Sequence, residues 1–323
     1  MKSIGGYFEL ELNNKKEYHP DALKFNTGRN ALEYILIVNR YSKIFLPYYT
    51  CDVILEPVKR LNLKYEFYSI DEDFEPKELP DNFKKNEALL YINYFGLKSN
   101  FIAQLAQRIN NLIIDNSQAF FEFPIPGIDS FYSPRKFFGL PDGGLAYVNR
   151  NNTFNIEKLN YDKSIGRLLH LFTRIEEGPE AGFHLFRENE KRLSNLPLMR
   201  MSIITERLLR NIDYQNSLKI RNINFYFLHN HLKEFNDLSS VIDNTTINGH
   251  MVYPYLKAGN DRLREELIRN KIYVATYWPN VLKLKRSISM ELYLAKNLLP
   301  LPIDQRYNKS DLKYILDTIK KYA

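Results

Sequence analysis

The first two thirds of the chain alternate short apolar runs with stretches whose apolar residues recur at helical spacing. The short runs are rich in β-branched and aromatic residues, so each predicts a buried strand. A helix is predicted from about Ala31, because Asn26–Arg29 supply polar capping residues just before an apolar-periodic run. Further helices are predicted at 51–61 and 102–110. The predicted strands are Lys43–Leu46, Lys64–Tyr68, Ala88–Tyr94, Leu112–Asp115 and Gly143–Asn149.

Apolar strands separated by helices are typical of a parallel sheet covered on both faces. We therefore predict an α/β fold, in which a large domain with a mainly parallel central sheet precedes a small C-terminal α+β domain. The charged stretch 192–235 is predicted to form one or two long helices that lead into the small domain. Within that domain the pattern predicts strands at 250–253 and 272–274 and helices at 261–270 and 309–321. The predicted division is an N-terminal arm at 1–20, a large domain at 21–212, and a small domain with its linking helix at 213–323.

Composition and charge narrow the functional classes. The 323 residues include 45 Lys and Arg against 38 Asp and Glu, which gives a net charge of +7. These charges are spread along the chain and interleaved, so they do not favour a nucleic-acid partner. The single cysteine, Cys51, excludes an internal disulfide and a zinc site built from several cysteines. No apolar run approaches the roughly 20 residues of a membrane span and no signal-peptide core is evident, so we expect a cytoplasmic protein without a membrane partner.

Three segments suited to chemistry follow predicted strands or begin helices, where open α/β sheets bind ligands. Thr27–Asn30 places a glycine and free N–H groups at a helix start, which suits a phosphate, although an ordinary helix cap is the alternative. Asp115, three residues before Gln118, ends a buried strand and needs a cationic partner unless it only forms a turn. Lys136 lies among aromatic residues, where partial desolvation would make it a usable amine nucleophile, and the alternative is a solvated surface lysine, the more common case for lysines. A phosphate cradle, a partner for a ring nitrogen and a reactive lysine are the parts that pyridoxal phosphate needs.

Other candidates carry weaker signals. His229 and His231 are two positions apart on a predicted helix and do not share a face, so no metal site is predicted. Trp278 is expected to close a core in the small domain. Cys51 is expected to be a buried structural thiol, with a position near the cofactor as the alternative.

Taken in order, these segments resemble the DegT/DnrJ/EryC1/StrS family of sugar aminotransferases, a branch of the fold-type-I pyridoxal-phosphate enzymes. The resemblance covers nearly the whole chain. The matching segments are Thr27–Leu32 (the family's Ser-Gly-Thr-x-Ala-Leu phosphate turn), Leu46–Thr50 (Pro-x-x-Thr), Asn93–Gly96 (a strand end), Asp115–Ala119 (Asp-Ala-Ala-Gln-Ala), Ser133–Lys136 (Ser-x-x-Lys) and Leu301–Tyr307 (the family's ending).

The resemblance implies pyridoxal 5'-phosphate as the cofactor and assigns roles to several residues. Lys136 is expected to hold the cofactor covalently and to act in catalysis, and Asp115 to pair with the ring nitrogen. Gln118 is expected to contact the ring hydroxyl and Tyr49 to stack on the ring. The residues expected at the phosphate are Gly28, Arg29 and Ser133.

The resemblance also implies an activity: an amino acid such as glutamate donates its amino group to a nucleotide-linked keto sugar, in polysaccharide or surface-glycan biosynthesis, on a homodimer. Two positions depart from the family pattern, because Phe131 replaces a commonly found phosphate-binding serine and Arg29 replaces a small hydroxyl residue. The family's Asn-Tyr-Arg segment, which reaches into the neighbouring subunit's site, is not clearly present. These departures keep open a non-catalytic or regulatory member that retains the fold for binding or assembly. A sugar dehydratase of the family, in which histidine replaces the lysine, is disfavoured by Lys136.

Overall fold

A computed structural model of the chain describes residues 4–149, 155–284 and 289–322. The first three residues of the predicted N-terminal arm lie outside these ranges. A seven-stranded sheet is built from β1 (Leu23–Phe25), β2 (Lys43–Pro47), β3 (Lys64–Tyr68), β4 (Glu87–Ile92), β5 (Leu112–Asp115), β6 (Asp129–Tyr132) and β7 (Gly144–Tyr147). The strand order across the sheet is β1-β7-β6-β5-β4-β2-β3.

Most of this sheet is parallel. Strand β2 pairs in parallel with β3 and β4, and β5 pairs in parallel with β4 and β6. Strand β7 runs antiparallel to both β6 and β1 at one edge. Strands β2, β4 and β5 are buried along nearly their whole length, as expected for strands with helices on both faces of the sheet. The predicted α/β fold with a mainly parallel central sheet is confirmed.

The helices begin and end where local sequence signals favour it. Helix α1 starts after Thr27, whose Oγ1 accepts a hydrogen bond from the Asn30 backbone nitrogen at 3.1 Å. It ends where Arg40 adopts a left-handed backbone with φ of 54°. The helices in the described ranges are α1 (Gly28–Asn39), α2 (Leu55–Arg60), α3 (Ser99–Arg108), α4 (Leu169–Glu176), α5 (Pro179–Arg192), α6 (Ile203–Asn211), α7 (Tyr214–Leu232), α8 (Ser239–Asp243), α9 (Asn260–Arg269), α10 (Ser289–Asn297) and α11 (Lys309–Tyr322).

A second, two-stranded sheet lies in the C-terminal part of the chain. Its strands, β8 (Val252–Leu256) and β9 (Leu298–Pro302), are antiparallel. Helices α7, α9 and α11 contact one another or these strands. Buried side chains of this part and of the large sheet form one continuous apolar cluster. The division at residues 212 and 213 therefore stays a prediction, because the core itself does not separate the two parts.

The strand predicted at 272–274 is wrong. The described backbone there is irregular, and β9 pairs with β8 instead. Strand β9 was not predicted because it contains two prolines, Pro300 and Pro302, and proline cannot donate a hydrogen bond to a β-ladder. In a two-stranded sheet each strand is an edge strand, and Pro300 lies opposite Pro254 in register, so the missing donors disrupt no ladder.

Four of the described helices, α4, α5, α8 and α10, were not predicted from the sequence pattern. Helices α4 and α5 contact each other as a helical hairpin, joined through Gly178 at φ of 94°. The long helical stretch predicted over 192–235 is divided into α6 and α7, with a non-helical segment after Arg192. No helix within the described ranges is both long enough and apolar enough to cross a bilayer.

Candidate active site

A cavity of about 300 Å³ lies at the carboxyl ends of β4, β5 and β6. Parallel strands end at the same edge of a sheet, so residues distant in sequence meet there. The residues that line it are Thr27, Gly28, Arg29, Leu32, Thr50, Cys51, Val53, Ile54, Ile92, Asp115, Ser117, Gln118, Phe131, Ser133, Arg135, Lys136, Glu190, Thr276, Tyr277 and Trp278. A wider groove of about 840 Å³ along residues 71–85 and α3 contains none of the predicted site residues.

The start of α1 forms one wall of this cavity. A Cβ added to Gly28 would lie 3.4 Å from the Ser133 Cβ and 3.6 Å from the Tyr132 carbonyl oxygen, so the helix start packs closely against the end of β6. The first-turn N–H groups of a helix have no intrahelical acceptor. They make this wall suitable for an anion. Ser133, also in the lining, is predominantly buried.

Arg29 lines the cavity but already has an anionic partner. Its Nη1 donates to both carboxylate oxygens of Glu56, at 2.8 and 2.9 Å. The guanidinium charge that the sequence predicted for a phosphate is therefore shared with a carboxylate on α2. Phe131, at the position where a serine was expected, is only 4% exposed and its side chain offers no hydrogen-bond donor.

Asp115 ends β5 and faces the cavity from a buried position. The Ser117 backbone nitrogen donates to its Oδ1 at 2.8 Å, and the Ser117 hydroxyl donates to the same oxygen. Burial raises the pKa of the Asp115 carboxyl, while the charge of Lys136 and the hydrogen bonds from Ser117 oppose that rise. Because the hydrogen bonds to this carboxylate fall on Oδ1, Oδ2 is left for a cationic group in the cavity.

Gln118 presents a donor without a partner. Its Oε1 accepts a hydrogen bond from the Phe95 backbone nitrogen at 2.8 Å, which fixes the amide plane. Its Nε2 is buried and has no hydrogen-bond partner among the described residues. A buried donor that is left unpaired is costly. This amide is therefore suited to an acceptor on a ligand.

Lys136 follows β6 in a short turn of 3-10 helix, Pro134–Lys136. Lys136 is exposed to solvent through the cavity that it lines, although many protein atoms lie around its side chain. Burial lowers the pKa of the Lys136 ammonium, and the charge of Asp115 opposes this. The next carbonyl, on Phe137, accepts hydrogen bonds from Arg221 Nη2 and Gln305 Nε2, both at 3.0 Å. These bonds fix the backbone that carries the lysine.

Two charged residues next to Lys136 were not predicted. Arg135 and Glu190 form a bidentate ion pair, with 2.8 Å between Nη2 and Oε2, and both line the cavity. Burial would raise the pKa of the Glu190 carboxyl, but its hydrogen bond and ion pair with Arg135, and the charges of Arg29 and Lys136, lower it. Glu190 lies on α5, far from the other site residues in sequence, so no local motif could have identified it.

The structure does not place Tyr49 in the cavity lining. Its ring is fully buried against Trp278, at 4.8 Å between ring centroids, and against Tyr94, at 5.7 Å. The Tyr94 hydroxyl donates to the Tyr49 carbonyl at 2.9 Å and holds this segment in the aromatic cluster. Packing thus holds the Tyr49 ring among protein aromatic side chains, and its stacking on the cofactor ring stays a prediction. Trp278, expected only to close a core, also lines the cavity.

Of the remaining predicted candidates, Cys51 lines the cavity and His229 does not. Cys51 is half-buried in the cavity lining, and burial raises the pKa of its thiol. His229 bonds Asp243 at 2.9 Å and Tyr253 at 3.2 Å, away from the cavity. Within the described ranges, no group of three or more His, Cys, Asp or Glu side chains is arranged to hold a metal ion.

Solved structures share this fold across nearly the whole chain. A DegT DnrJ EryC1 StrS aminotransferase from Brucella abortus is 15% identical, with a TM-score of 0.63 over 93% of this chain and 85% of its own. A protein from Streptococcus pneumoniae assigned as a sugar aminotransferase, in its PLP form, is 13% identical, with a TM-score of 0.61 over 94% of this chain and 86% of its own. DesI, in the presence of its TDP-sugar product, is 13% identical, with a TM-score of 0.62 over 93% of this chain and 79% of its own.

These likenesses concern the fold. The chain has the fold of DegT/DnrJ/EryC1/StrS sugar aminotransferases, so the predicted resemblance is confirmed at that level. No protein-family model matches the sequence, and no curated protein matches it.

Proposed function

We propose that this chain is a pyridoxal-phosphate-dependent aminotransferase that moves an amino group from an amino acid such as glutamate to a nucleotide-linked keto sugar. One observation carries the proposal. Asp115 and Lys136 follow the adjacent parallel strands β5 and β6 and line the same cavity as the start of α1. A buried carboxylate, a desolvated amine and an anion site in one cavity are the groups that this cofactor requires.

The cavity fits the cofactor at three points. Gly28 leaves a cradle at the start of α1 that a Cβ would fill, and the N–H groups there suit the phosphate. Asp115 Oδ2 suits a protonated ring nitrogen, because a buried carboxylate needs a cationic partner. The unpaired Gln118 Nε2 suits the ring hydroxyl. Ser133 and Lys136 would complete the cofactor's contacts from the end of β6.

In this site the protein side chains would bind the cofactor, keep a proton on its ring nitrogen and transfer a proton from the substrate. When bound, pyridoxal phosphate supplies an electron sink for the substrate carbon that loses a proton. Asp115 would keep a proton on the ring nitrogen. The Lys136 amine would take a proton from the substrate carbon and return it at the reacting carbon of the cofactor, first as general base and then as general acid. The lowered pKa of Lys136 increases the fraction of neutral amine that can do this.

A nucleotide-linked sugar as the acceptor is supported by one of the structural neighbours. DesI was solved with its TDP-sugar product, and its fold matches 93% of this chain. The net charge of +7 suits a diphosphate-bearing substrate. A role in polysaccharide or surface-glycan biosynthesis belongs to the same proposal.

We further propose that the protein is a cytoplasmic homodimer. Helices α4 and α5 expose large apolar side chains: Leu169 is 59% exposed, Phe172 49%, Ile175 78% and Phe183 57%. Large exposed apolar side chains grouped on two contacting helices are typical of protein contacts. Light scattering is expected to give twice the chain mass of 38.3 kDa, and a monomer at micromolar concentration would contradict this part of the proposal.

The main test is spectroscopic. Purified protein with added pyridoxal phosphate is expected to develop the visible absorption band of a lysine-bound cofactor. Borohydride reduction followed by peptide mapping should place the adduct on Lys136. The variant K136A should lose the band, whereas K59A, at an exposed lysine on α2, should keep it. A wild-type protein without the band, or a K136A protein that keeps it, would contradict the proposal.

A non-catalytic member is the second candidate, and Phe131 favours it. This side chain lines the cavity where family members commonly bind the phosphate with a serine. The two candidates differ in their response to glutamate. An aminotransferase loses the absorption band when glutamate is added, because the amino group passes to the cofactor, whereas a binding protein retains it.

A further inference from the structure

The pair Arg135–Glu190 occupies a position in the cavity for which the proposed function has no use. Both side chains line the cavity, and they are joined by two parallel hydrogen bonds. Arg135 directly precedes Lys136 in the chain, both line the cavity, and the charges of Arg135 and Glu190 both act on the Lys136 ammonium. Glu190 reaches the site from the helical hairpin of α4 and α5.

Arg135 differs from Arg29, the other arginine of the cavity lining, in its partner. Arg29 is held by Glu56, which does not line the cavity, and Lys136 faces Asp115. The partner of Arg135 is itself a cavity residue. The Glu190 side chain is 35% exposed, against 18% for Arg135, so Glu190 is the member with room to turn away.

The geometry of the pair indicates which ligand suits it. In a bidentate contact, two N–H donors of a planar guanidinium face the two oxygens of a planar carboxylate. Glu190 therefore shows that Arg135 is oriented to receive a carboxylate in the cavity. The proposed function gives the cofactor phosphate a separate site at the start of α1, which lies against Ser133.

We propose that Arg135 binds a carboxylate of the amino-acid donor, and that Glu190 is an internal carboxylate that occupies Arg135 until the donor displaces it. This inference rests on the proposed function and specifies how the donor is recognised. It assigns Arg135 a role in donor binding and makes Glu190 a competitor for the same guanidinium. The exchange replaces one carboxylate by another, so the charge next to Lys136 stays balanced when the donor binds.

The competition predicts opposite effects for the two partners. The probe is glutarate, a dicarboxylate without an amino group, titrated by calorimetry into the protein with and without pyridoxal phosphate. R135Q is expected to weaken glutarate binding by roughly tenfold or more, because it removes charged hydrogen bonds. E190Q is expected to tighten binding several-fold, because an amide competes less well than a carboxylate. R135K, which keeps the charge but loses the fork, should fall between the wild type and R135Q.

Matched measurements separate this role from a structural one. R207Q removes an exposed arginine from α6 and should leave glutarate affinity unchanged. Circular dichroism melting of each variant reports folding independently. If R135Q and E190Q both weaken binding, the pair only supports the structure and the inference is overturned. It is also overturned if the wild type binds no glutarate, if R207Q weakens binding as much as R135Q, or if the variants alter the affinity for inorganic phosphate instead.

The same experiment distinguishes this inference from the proposed function. If the absorption band forms on Lys136 while glutarate binding is indifferent to Arg135 and Glu190, only the donor-site inference fails. If the band never forms but R135Q and E190Q shift glutarate affinity in opposite directions, the carboxylate site stands and the aminotransferase proposal fails.

Discussion

Gly144 lies so close to Thr27 that no side chain fits between the two backbones. A Cβ added to Gly144 would lie 2.5 Å from the Gly28 backbone nitrogen and closer still to the Thr27 carbonyl. Thr27 caps α1, and the start of α1 lines the cavity. The strand that follows the lysine segment thus fixes the helix start proposed to bind the phosphate.

G144A is therefore expected both to destabilise the protein and to disturb the start of α1, the proposed phosphate site. Overpacking of this kind costs about 1–3 kcal/mol in the free energy of unfolding, and here the obstacle is rigid backbone. Urea unfolding measures the loss, and pyridoxal phosphate affinity should fall with it. G166A, where the nearest atom lies 4.0 Å away, is the control and should change stability little. Equal stability of G144A and the wild type would contradict the close approach.

A buried ionic cluster next to this glycine gives a second prediction. Asp142 is fully buried and pairs with Arg167 Nη2 at 2.7 Å, and it also accepts hydrogen bonds from the Ser164 and Thr205 hydroxyls. D142N should lower the free energy of unfolding by about 3 kcal/mol, because it leaves Arg167 with less of its compensating charge. E188Q removes one partner of an exposed ion pair on α5 and should have little effect. Similar unfolding free energies for the two variants would show that Asp142 is not needed to balance Arg167.

The environment of Lys136 predicts a characteristic pH dependence. Burial lowers the pKa of its ammonium below the ordinary value of 10.5, so the neutral and reactive amine becomes abundant at lower pH than in a surface lysine. Labelling with an amine-reactive reagent, followed by peptide mapping, should give Lys136 a midpoint below the ordinary lysine value of 10.5. The charge of Asp115 raises the pKa of Lys136, so D115N should move that midpoint further down. An upward shift in D115N would contradict this electrostatic account.

Arg221 is expected to act as a positioning residue for the lysine segment. It is 1% exposed and donates to the carbonyls of Phe137, His250 and Met251, while burial lowers its pKa to about 10. R221K should destabilise the protein by about 3 kcal/mol, since lysine cannot reproduce the planar set of donors. R262K, on the exposed face of α9, is the matched control.

A readout at the site distinguishes positioning from general stability. Because the Phe137 carbonyl directly follows Lys136, R221K should also alter the pH midpoint of Lys136 labelling under conditions where the variant is fully folded. A destabilised R221K protein with an unchanged midpoint would show that Arg221 supports the fold without positioning the lysine.

The sequence predicted most of the central sheet because its signals are local. Apolar runs such as Leu112–Asp115 identify buried strands without knowledge of their neighbours. Strand β6, which precedes Lys136, was not predicted, so only the family resemblance implied that Asp115 and Lys136 act at one site. The cap at Thr27 is equally local, because a side chain and an amide three residues apart define it.

Contacts between distant segments could not be predicted from the sequence. Tyr49 lies in a segment that resembles the family, yet its ring direction depends on Tyr94 and Trp278, which no local pattern specifies. Strand β9 was missed because proline counts against a strand until its edge position is known.

The amino-acid sequence by itself determined the α/β class, the alternation of strands and helices and the residues that end the strands, because backbone propensity and hydrophobic periodicity act over a few residues. Only the tertiary structure decided that Tyr49 packs against Tyr94 and Trp278, that Arg29 pairs with Glu56, and that Glu190 pairs with Arg135. Those outcomes depend on side-chain packing and charge pairing between segments separated by 27 to 55 residues and more. Close-packed interiors settle such pairings globally, so they become visible only once the chain is folded.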